Sequence, residues 1–152
     1  MTQISGFALT RVSRALRVRP VAKDARLCDI CFMAVTVVIV DDHPSFRMSA
    51  RTLLELEGFE VVGEAADGAS ALEVAAALEP ELVLLDIALP DTTGFEVAAE
   101  LARRLHPPTV ILTSSRSESD YGTAVARSSA RGFIAKSDLS GPGLLALIEE
   151  PR

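Results

Sequence analysis

The sequence predicts an α/β fold, a doubly wound sheet of five parallel strands alternating with five helices. Two observations carry this. Short continuous apolar runs, rich in β-branched residues, recur along residues 34–150 and read as strands buried on both faces. Between them lie segments of helical period, each bounded by Gly, Pro or an acid. A third observation concerns chemistry: polar and charged residues collect directly after the strands.

The elements follow in order. Residues 35–40 form the first strand and end in Asp41-Asp42-His43-Pro44. Ser45 is the expected N-cap of the next helix, in which Phe46, Ala50, Leu53 and Leu54 fall at helical spacing until Gly58. Residues 60–63 read as a short strand, Asp67-Gly68 as a turn, and residues 69–78 as a helix ending before Pro80. Residues 82–85 are the third strand, ending in Asp86, with a loop at residues 90–94. Phe95, Ala98, Leu101, Ala102 and Leu105 mark the third helix, which Pro107-Pro108 breaks. Residues 110–112 are a strand ending in Thr113-Ser114-Ser115, and residues 120–130 a weaker fourth helix. Residues 132–135 are the last strand, ending at Lys136, and residues 144–148 a brief last helix, interrupted early by Gly141-Pro142-Gly143. Right-handed βαβ crossovers then predict a flavodoxin-like (βα)5 sheet of order 2-1-3-4-5.

Composition bounds the function. Hydrophobic residues are 49% of the 152, charged residues 24%, and there are two cysteines. That excludes collagen-like, disordered and disulfide-scaffold classes. No apolar run approaches the roughly 18 residues of a membrane span, so no membrane association is expected and the expected location is cytoplasmic. Six Phe, one Tyr and no Trp offer little for stacking on single-stranded nucleic acid. Residues 1–33 hold six basic residues against two acidic, net +4, and the remainder nine against nineteen, net −10. Two units are expected: a basic, disordered extension over 1–33 (or a start upstream of Met33, or a transit-like segment) and one acidic domain over 34–150. The acidic domain repels phosphate backbone, so direct DNA binding is not expected. Cys28 and Cys31 supply only two ligands and precede a strand, so they read as reduced thiols.

In an open parallel sheet ligands bind beyond the carboxyl ends of the strands at the topological switch point. The predicted order brings Asp41, Asp42, Asp86, Thr113, Ser114 and Lys136 to one pocket there. Clustered carboxylates need a compensating cation, and hard oxygen donors suit Mg²⁺. An aspartate so placed can act as a nucleophile toward phosphorus, with lysine and a hydroxyl offsetting charge on the phosphoryl group. Taken singly, an acid after a strand is a turn former or helix cap; Asp67 and Asp91 keep that reading as solvated turn residues, and His43 flanks the pocket.

Residues 37–44 (Val-Val-Ile-Val-Asp-Asp-His-Pro), 82–94 (Leu-Val-Leu-Leu-Asp-Ile-Ala-Leu-Pro-Asp-Thr-Thr-Gly), 111–114 (Ile-Leu-Thr-Ser) and 132–136 (Gly-Phe-Ile-Ala-Lys) resemble the CheY-like receiver domain of response regulators in two-component signalling, with a LuxR-type opening. The resemblance implies that Asp86 accepts a phosphoryl group from a sensor histidine kinase or phosphotransfer protein. It implies that Asp41, Asp42, Asp86 and the Ala88 carbonyl hold Mg²⁺, that Lys136 is the ion-pair partner, and that Phe133 is the aromatic switch. Thr113 is the implied switch hydroxyl from its spacing to Pro108. Ser114 is the alternative, because the stretch from Thr113 to Lys136 is one residue longer than usual. Lys136 is followed by Ser137 where many receivers have Pro. Small Ala88 implies a phosphate lifetime not greatly extended, a rate that Ser115 also influences.

The expected function is a stand-alone receiver without an output domain, a phosphoacceptor and not an enzyme. Its expected output is a protein contact through helix four, strand five and helix five, and a homodimer formed on phosphorylation is a further expectation. The alternative is a DNA-binding regulator truncated before its helix-turn-helix domain. A remote alternative, an aspartyl-phosphate phosphohydrolase, lacks the second Asp it would want at Ala88.

Overall fold

The computed structural model describes residues 34–150. The expectations for the basic arm and for Cys28 and Cys31 fall outside those residues. Five strands are present: β1 (Thr36–Val40), β2 (Glu60–Ala65), β3 (Leu82–Asp86), β4 (Thr109–Ser114) and β5 (Gly132–Ala135). They form one parallel sheet of order β2-β1-β3-β4-β5, as the alternating pattern predicts. The helices between and after them are α1 (Pro44–Leu56), α2 (Gly68–Leu78), α3 (Gly94–Ala102), α4 (Ala124–Arg127) and α5 (Gly141–Glu149).

The core explains why the strands read as unbroken apolar runs. Every residue of β1 and β3 is buried. Val38, Val40, Val83, Leu85, Val110 and Leu112 pack with Ala71 and Ala75 of α2 and with Val97, Ala98 and Leu101 of α3. Strand side chains alternate between faces. The other face therefore carries Val37, Ile39, Leu82, Leu84 and Ile111, covered from the opposite layer, where Ala50, Leu54 and Leu144 are buried.

The helix ends depart from expectation in informative ways. α1 starts one residue before Ser45, with His43 at the N-cap position and Pro44 opening the helix. Proline's preset φ and missing N–H suit that first position and displace the serine as cap. Asp67 is the N-cap of α2, its carboxylate accepting from Ser70 N–H at 2.7 Å. Asp91, expected as a solvated turn residue, reaches across to the same helix end and accepts from Gly68 and Ala69 N–H at 2.8 and 3.0 Å. The two acids satisfy donors a helix start leaves open, and those bonds hold the Asp91 carboxyl below its usual range.

The expected helix over 120–130 is largely absent. A 3₁₀ turn (Glu118–Tyr121) is followed by the four-residue α4. Gly122 interrupts them with φ +60°, ψ −125°, a conformation that glycine reaches without a Cβ penalty. By contrast, Gly141-Pro142-Gly143 opens α5 and does not interrupt it. Ser140 caps the helix by accepting from Gly143 N–H at 3.0 Å, and Pro142 lies in the first turn, where its missing donor costs nothing. α5 runs nine residues, longer than residues 144–148. Arg131 closes its far end by donating to the carbonyls of Leu147, Ile148 and Glu150.

Candidate functional site

The pocket lies at the carboxyl ends of β1, β3 and β5, where the sheet order reverses direction. β1 and β3 are adjacent and in register from Val37↔Leu82 to Val40↔Leu85. Their ends therefore deliver Asp41 and Asp86 side by side, and both are buried. The β3–α3 loop is held down by a bridge between Ala88 and Thr93 and by Gly94 N–H donating to the Ile87 carbonyl at 2.7 Å. Gly94 packs so closely there that a Cβ would lie 2.6 Å from the Asp86 carbonyl oxygen. A side chain at this position would push the loop off the strand end that carries Asp86.

Lys136, directly after β5, reaches into the same place. Its Nζ stands 2.6 Å from Asp41 Oδ2 and 3.3 Å from Asp86 Oδ2. Phe46 of α1 places its ring centroid 4.7 Å from that ammonium, a cation–π seat that steadies it from above. Asp41 Oδ1 accepts from His43 N–H at 2.8 Å and contacts His43 Nδ1 at 3.0 Å, and the same Nδ1 is 3.0 Å from Asp42 Oδ1. Asp86 Oδ1 accepts from Ala88 N–H at 3.2 Å. The Asp41 carbonyl accepts from Arg47 at 2.5 Å, and Arg47 and Arg51 both engage the Glu64 carboxylate, at 3.0 and 2.8 Å. That pairing, led by the bond from Arg51, holds Glu64 below its usual range.

The two buried aspartates divide the available compensation unequally. Burial pushes Asp41 up, but the Lys136 and His43 bonds outweigh it and its pKa falls below the usual value. Asp86 is pushed up to about 6, first by burial and then by repulsion from Asp41. Lys136 loses to burial and gains more from the two carboxylates, so it stays firmly charged. One ammonium is thus shared between two buried carboxylates, with the half-exposed Asp42 beside them. Asp41, Asp42, His43 and Asp86 each offer a ligand atom, all within 4.8 Å of one another. An oxygen-rich, under-neutralised donor set of this kind suits a hard divalent cation such as Mg²⁺ better than a soft one.

The structure brings Asp41, Asp42, Asp86, Ala88 and Lys136 together as the sequence implied. It separates the two hydroxyls. Thr113 pairs in register with Asp86 and its Oγ1 is buried without a hydrogen bond. Ser114 Oγ lies 2.5 Å from the hydroxyl of Tyr121. Phe133 is half-buried and stacks its ring 6.2 Å from that of Tyr121, which meets Phe95 at 6.1 Å. Sequence reasoning passed over Phe46 and Tyr121. Phe46 counted as one more helix-spaced apolar residue, and Tyr121 lay in a segment read as a weak helix. The available signal for Tyr121 was that it is the chain's single tyrosine.

Comparison with known proteins agrees with this geometry. Residues 37–146 match the response regulator receiver domain family. The chain is 40% identical over 100 residues to the transcription regulator BvgA of Bordetella pertussis, covering 66% of this chain and 48% of that protein. It is 30% identical over 104 residues to the DNA-binding transcriptional activator EvgA of Escherichia coli, covering 68% and 51%. The chain spans about half the length of these curated relatives. The signal receiver domain of the response regulator NarL from Mycobacterium tuberculosis superposes with TM-score 0.69 at 34% identity, over 77% of this chain and 98% of that one. A CheY-like receiver domain protein from Methanospirillum hungatei gives 0.64 at 28%, over 77% and 92%.

Proposed function

The chain belongs to the response regulator receiver domain family of two-component systems, and from that premise we propose that Asp86 is its phosphoacceptor. The observation that carries this reading is the Lys136 ammonium lodged between Asp41 Oδ2 and Asp86 Oδ2, at 2.6 and 3.3 Å. Receiver domains of this family are phosphoacceptors that bind Mg²⁺ at an acidic pocket and interact with histidine kinases or phosphotransfer proteins.

In this chain Asp41, Asp42, Asp86 and the Ala88 carbonyl would hold the ion, which when bound supplies charge compensation for phosphoryl oxygens. The rest falls to the chain's own side chains. An Asp86 carboxylate oxygen attacks phosphorus in line; the new O–P bond forms as the bond to the donor's leaving group breaks, and the leaving group keeps the electron pair. Lys136 releases part of its hold on Asp86 and pairs with the incoming phosphoryl oxygens, kept in reach by Phe46. Ala88 N–H keeps the carboxylate oriented. A hydroxyl at the end of β4 is the expected responder, and Phe133 the aromatic that moves with it. On this reading the chain acts as a phosphoacceptor rather than as a turnover enzyme.

The expected output is a changed contact surface around α4, β5 and α5, for a protein target or a second copy of this chain. Among the described residues no helix is long and apolar enough to cross a membrane. A second reading is favoured by the relatives BvgA and EvgA, whose names describe transcription regulators: that this is the receiver part of a DNA-binding regulator, whose phosphorylation drives receiver pairing.

The deciding experiment is incubation of purified chain with acetyl phosphate, with and without Mg²⁺, resolved on a phosphate-affinity gel beside Asp86→Asn. A Mg²⁺-dependent shift that the variant lacks is the expected outcome. A folded wild type that never shifts would end this reading. Sedimentation of the phosphorylated chain separates the two outputs, since receiver pairing predicts a dimer.

A further inference from the structure

The two acids that follow β1 are held in different ways. Asp41 is buried, and both Lys136 Nζ and His43 N–H engage its carboxylate. Asp42 is exposed, with the His43 ring beside its carboxylate at 3.0 Å. An exposed side chain is placed by its backbone rather than by packing. The direction of the peptide joining Asp41 to Asp42 therefore decides where the second carboxylate stands.

That peptide lies past the end of the sheet. Val40 is the last residue of β1 paired with β3, and Asp41 N–H still donates to the Ala65 carbonyl of β2 at 3.0 Å. The Asp41 carbonyl instead accepts from Arg47 Nη1 at 2.5 Å. Arg47 also donates its backbone N–H to the His43 carbonyl at 3.1 Å, in the first turn of α1. One residue thus ties down the turn 41–43 through both its backbone and its side chain. Its guanidinium works in two directions: Nε donates to Glu64 Oε1 at 3.0 Å while Nη1 takes the carbonyl. Arg51 donates to the other Glu64 oxygen at 2.8 Å, so the carboxylate that holds Arg47 is itself held. A planar fork serves two such partners at once, where a lysine offers a single point charge.

We propose that Arg47 is a positioning residue for the metal pocket, its fork fixing the peptide between Asp41 and Asp42 so that the second carboxylate is preset for Mg²⁺. This rests on Asp41 and Asp42 being ligands of that ion. Charge alone predicts the opposite sign for the effect of Arg47. A guanidinium beside an acidic pocket repels a divalent cation, so its removal would tighten binding. Losing the fork instead leaves the buried Asp41 carbonyl without its donor, and the peptide turns to find another. The Asp42 carboxylate must then be reordered each time the ion binds, which weakens binding.

Titration of the purified full chain with MgCl2 in a calorimeter reads the affinity, and urea unfolding of each variant reads its stability. Arg47→Met should weaken Mg²⁺ binding about 10-fold, as the loss of an outer partner of a metal ligand commonly does. Arg47→Lys keeps the charge, loses the fork and should weaken it to a similar degree. Arg51→Met is the control, because Arg51 shares Glu64 with Arg47 while its own bonds go to Glu55, Glu64 and the Val61 carbonyl. It should leave the affinity within about twofold, as a solvent-screened charge does. The role of Arg47 is overturned if Arg47→Met binds Mg²⁺ as tightly as wild type or more tightly, if Arg47→Lys binds like wild type, or if Arg51→Met weakens binding equally. Should Arg47→Met fail to fold, Arg47→Lys and Arg51→Met decide by the same criteria. A wild type that binds no Mg²⁺, or an Asp42→Asn variant that binds it equally well, removes the metal-pocket reading and the role of Arg47 with it. Binding that Asp42→Asn weakens and the Arg47 variants do not removes the role of Arg47 alone.

Discussion

The sheet's central strand β3 divides two differently built halves. The connections before β4 run through α1, α2 and α3, of 13, 11 and 9 residues, and α2 and α3 are capped by Asp67 and Thr93. On the β4–β5 side the connection contracts to a 3₁₀ turn and the four-residue α4. The carboxylates Asp41 and Asp86 come from the long-helix half and from β3 itself, while the ammonium and hydroxyls come from the other. The proposed function asks for a rigid phosphoacceptor and movable responders. The division supplies both, because short elements with little buried area open at low cost.

Lys136 is the ionic link from the β4–β5 side to the site, and cutting it should have the largest effect. Lys136→Met leaves the buried Asp41 without its cation and should cost about 3–5 kcal/mol near neutral pH, the usual consequence of breaking a buried pair. Urea unfolding measures it, and added Mg²⁺ should restore stability more to the variant than to wild type. Next comes packing. Leu84→Ala in fully buried β3 should cost about 2–5 kcal/mol, whereas Val125→Ala in α4 should cost about 1 kcal/mol or less. Equal losses in parallel urea titrations would erase the contrast between the halves.

The acid–base prediction is smaller and changes with pH. Asp86 has its folded pKa raised from the usual 3.8 to about 6. Between those values the folded chain binds more protons than the unfolded, so this group's contribution to stability falls as pH rises and levels off above about 6. Asp86→Asn should therefore gain on wild type across pH 4 to 6. The gain is bounded by about 3 kcal/mol, two pKa units at about 1.4 kcal/mol each, less what Asn loses at Lys136. Thermal unfolding of both proteins over that range tests it, and a gap that narrows with rising pH would contradict it. The smallest effect is expected at Glu64, which Arg47 and Arg51 share. Its lowered pKa means a contribution present above the usual 4.5 and lost as pH falls through the folded value. Glu64→Gln should cost about 0.5–1 kcal/mol near neutral pH, as a partly exposed pair does. In acid the difference should vanish.

Legibility followed the same division. Strands buried on both faces announce themselves as unbroken apolar runs, so residues 37–40, 82–85 and 110–112 were plain, and with them the positions of Asp41, Asp86 and Lys136. Periodicity in residues 120–130 suggests a longer fourth helix because it carries no mark of what Gly122 does to the backbone. Gly141-Pro142-Gly143 looks like a breaker and so suggests a shorter last helix, although proline and glycine are harmless in a first turn once Ser140 caps it. Asp91 looks solvated in the sequence because its partners, Gly68 and Ala69, lie more than twenty residues away.

Order along the chain was thus enough to determine the parallel sheet, its 2-1-3-4-5 sequence and the meeting of three acids with one lysine. Those depend on local period and on the handedness of crossovers, which the chain carries in every segment. Tertiary structure alone decided how the charge is shared. Lys136 sits closer to Asp41 than to Asp86, Asp86 is left holding its proton more tightly, and Ser114 is turned toward Tyr121 while Thr113 is not. Such outcomes depend on distances of a few tenths of an ångström and on which face of a strand a residue leaves by, and they exist only once the strands are in register.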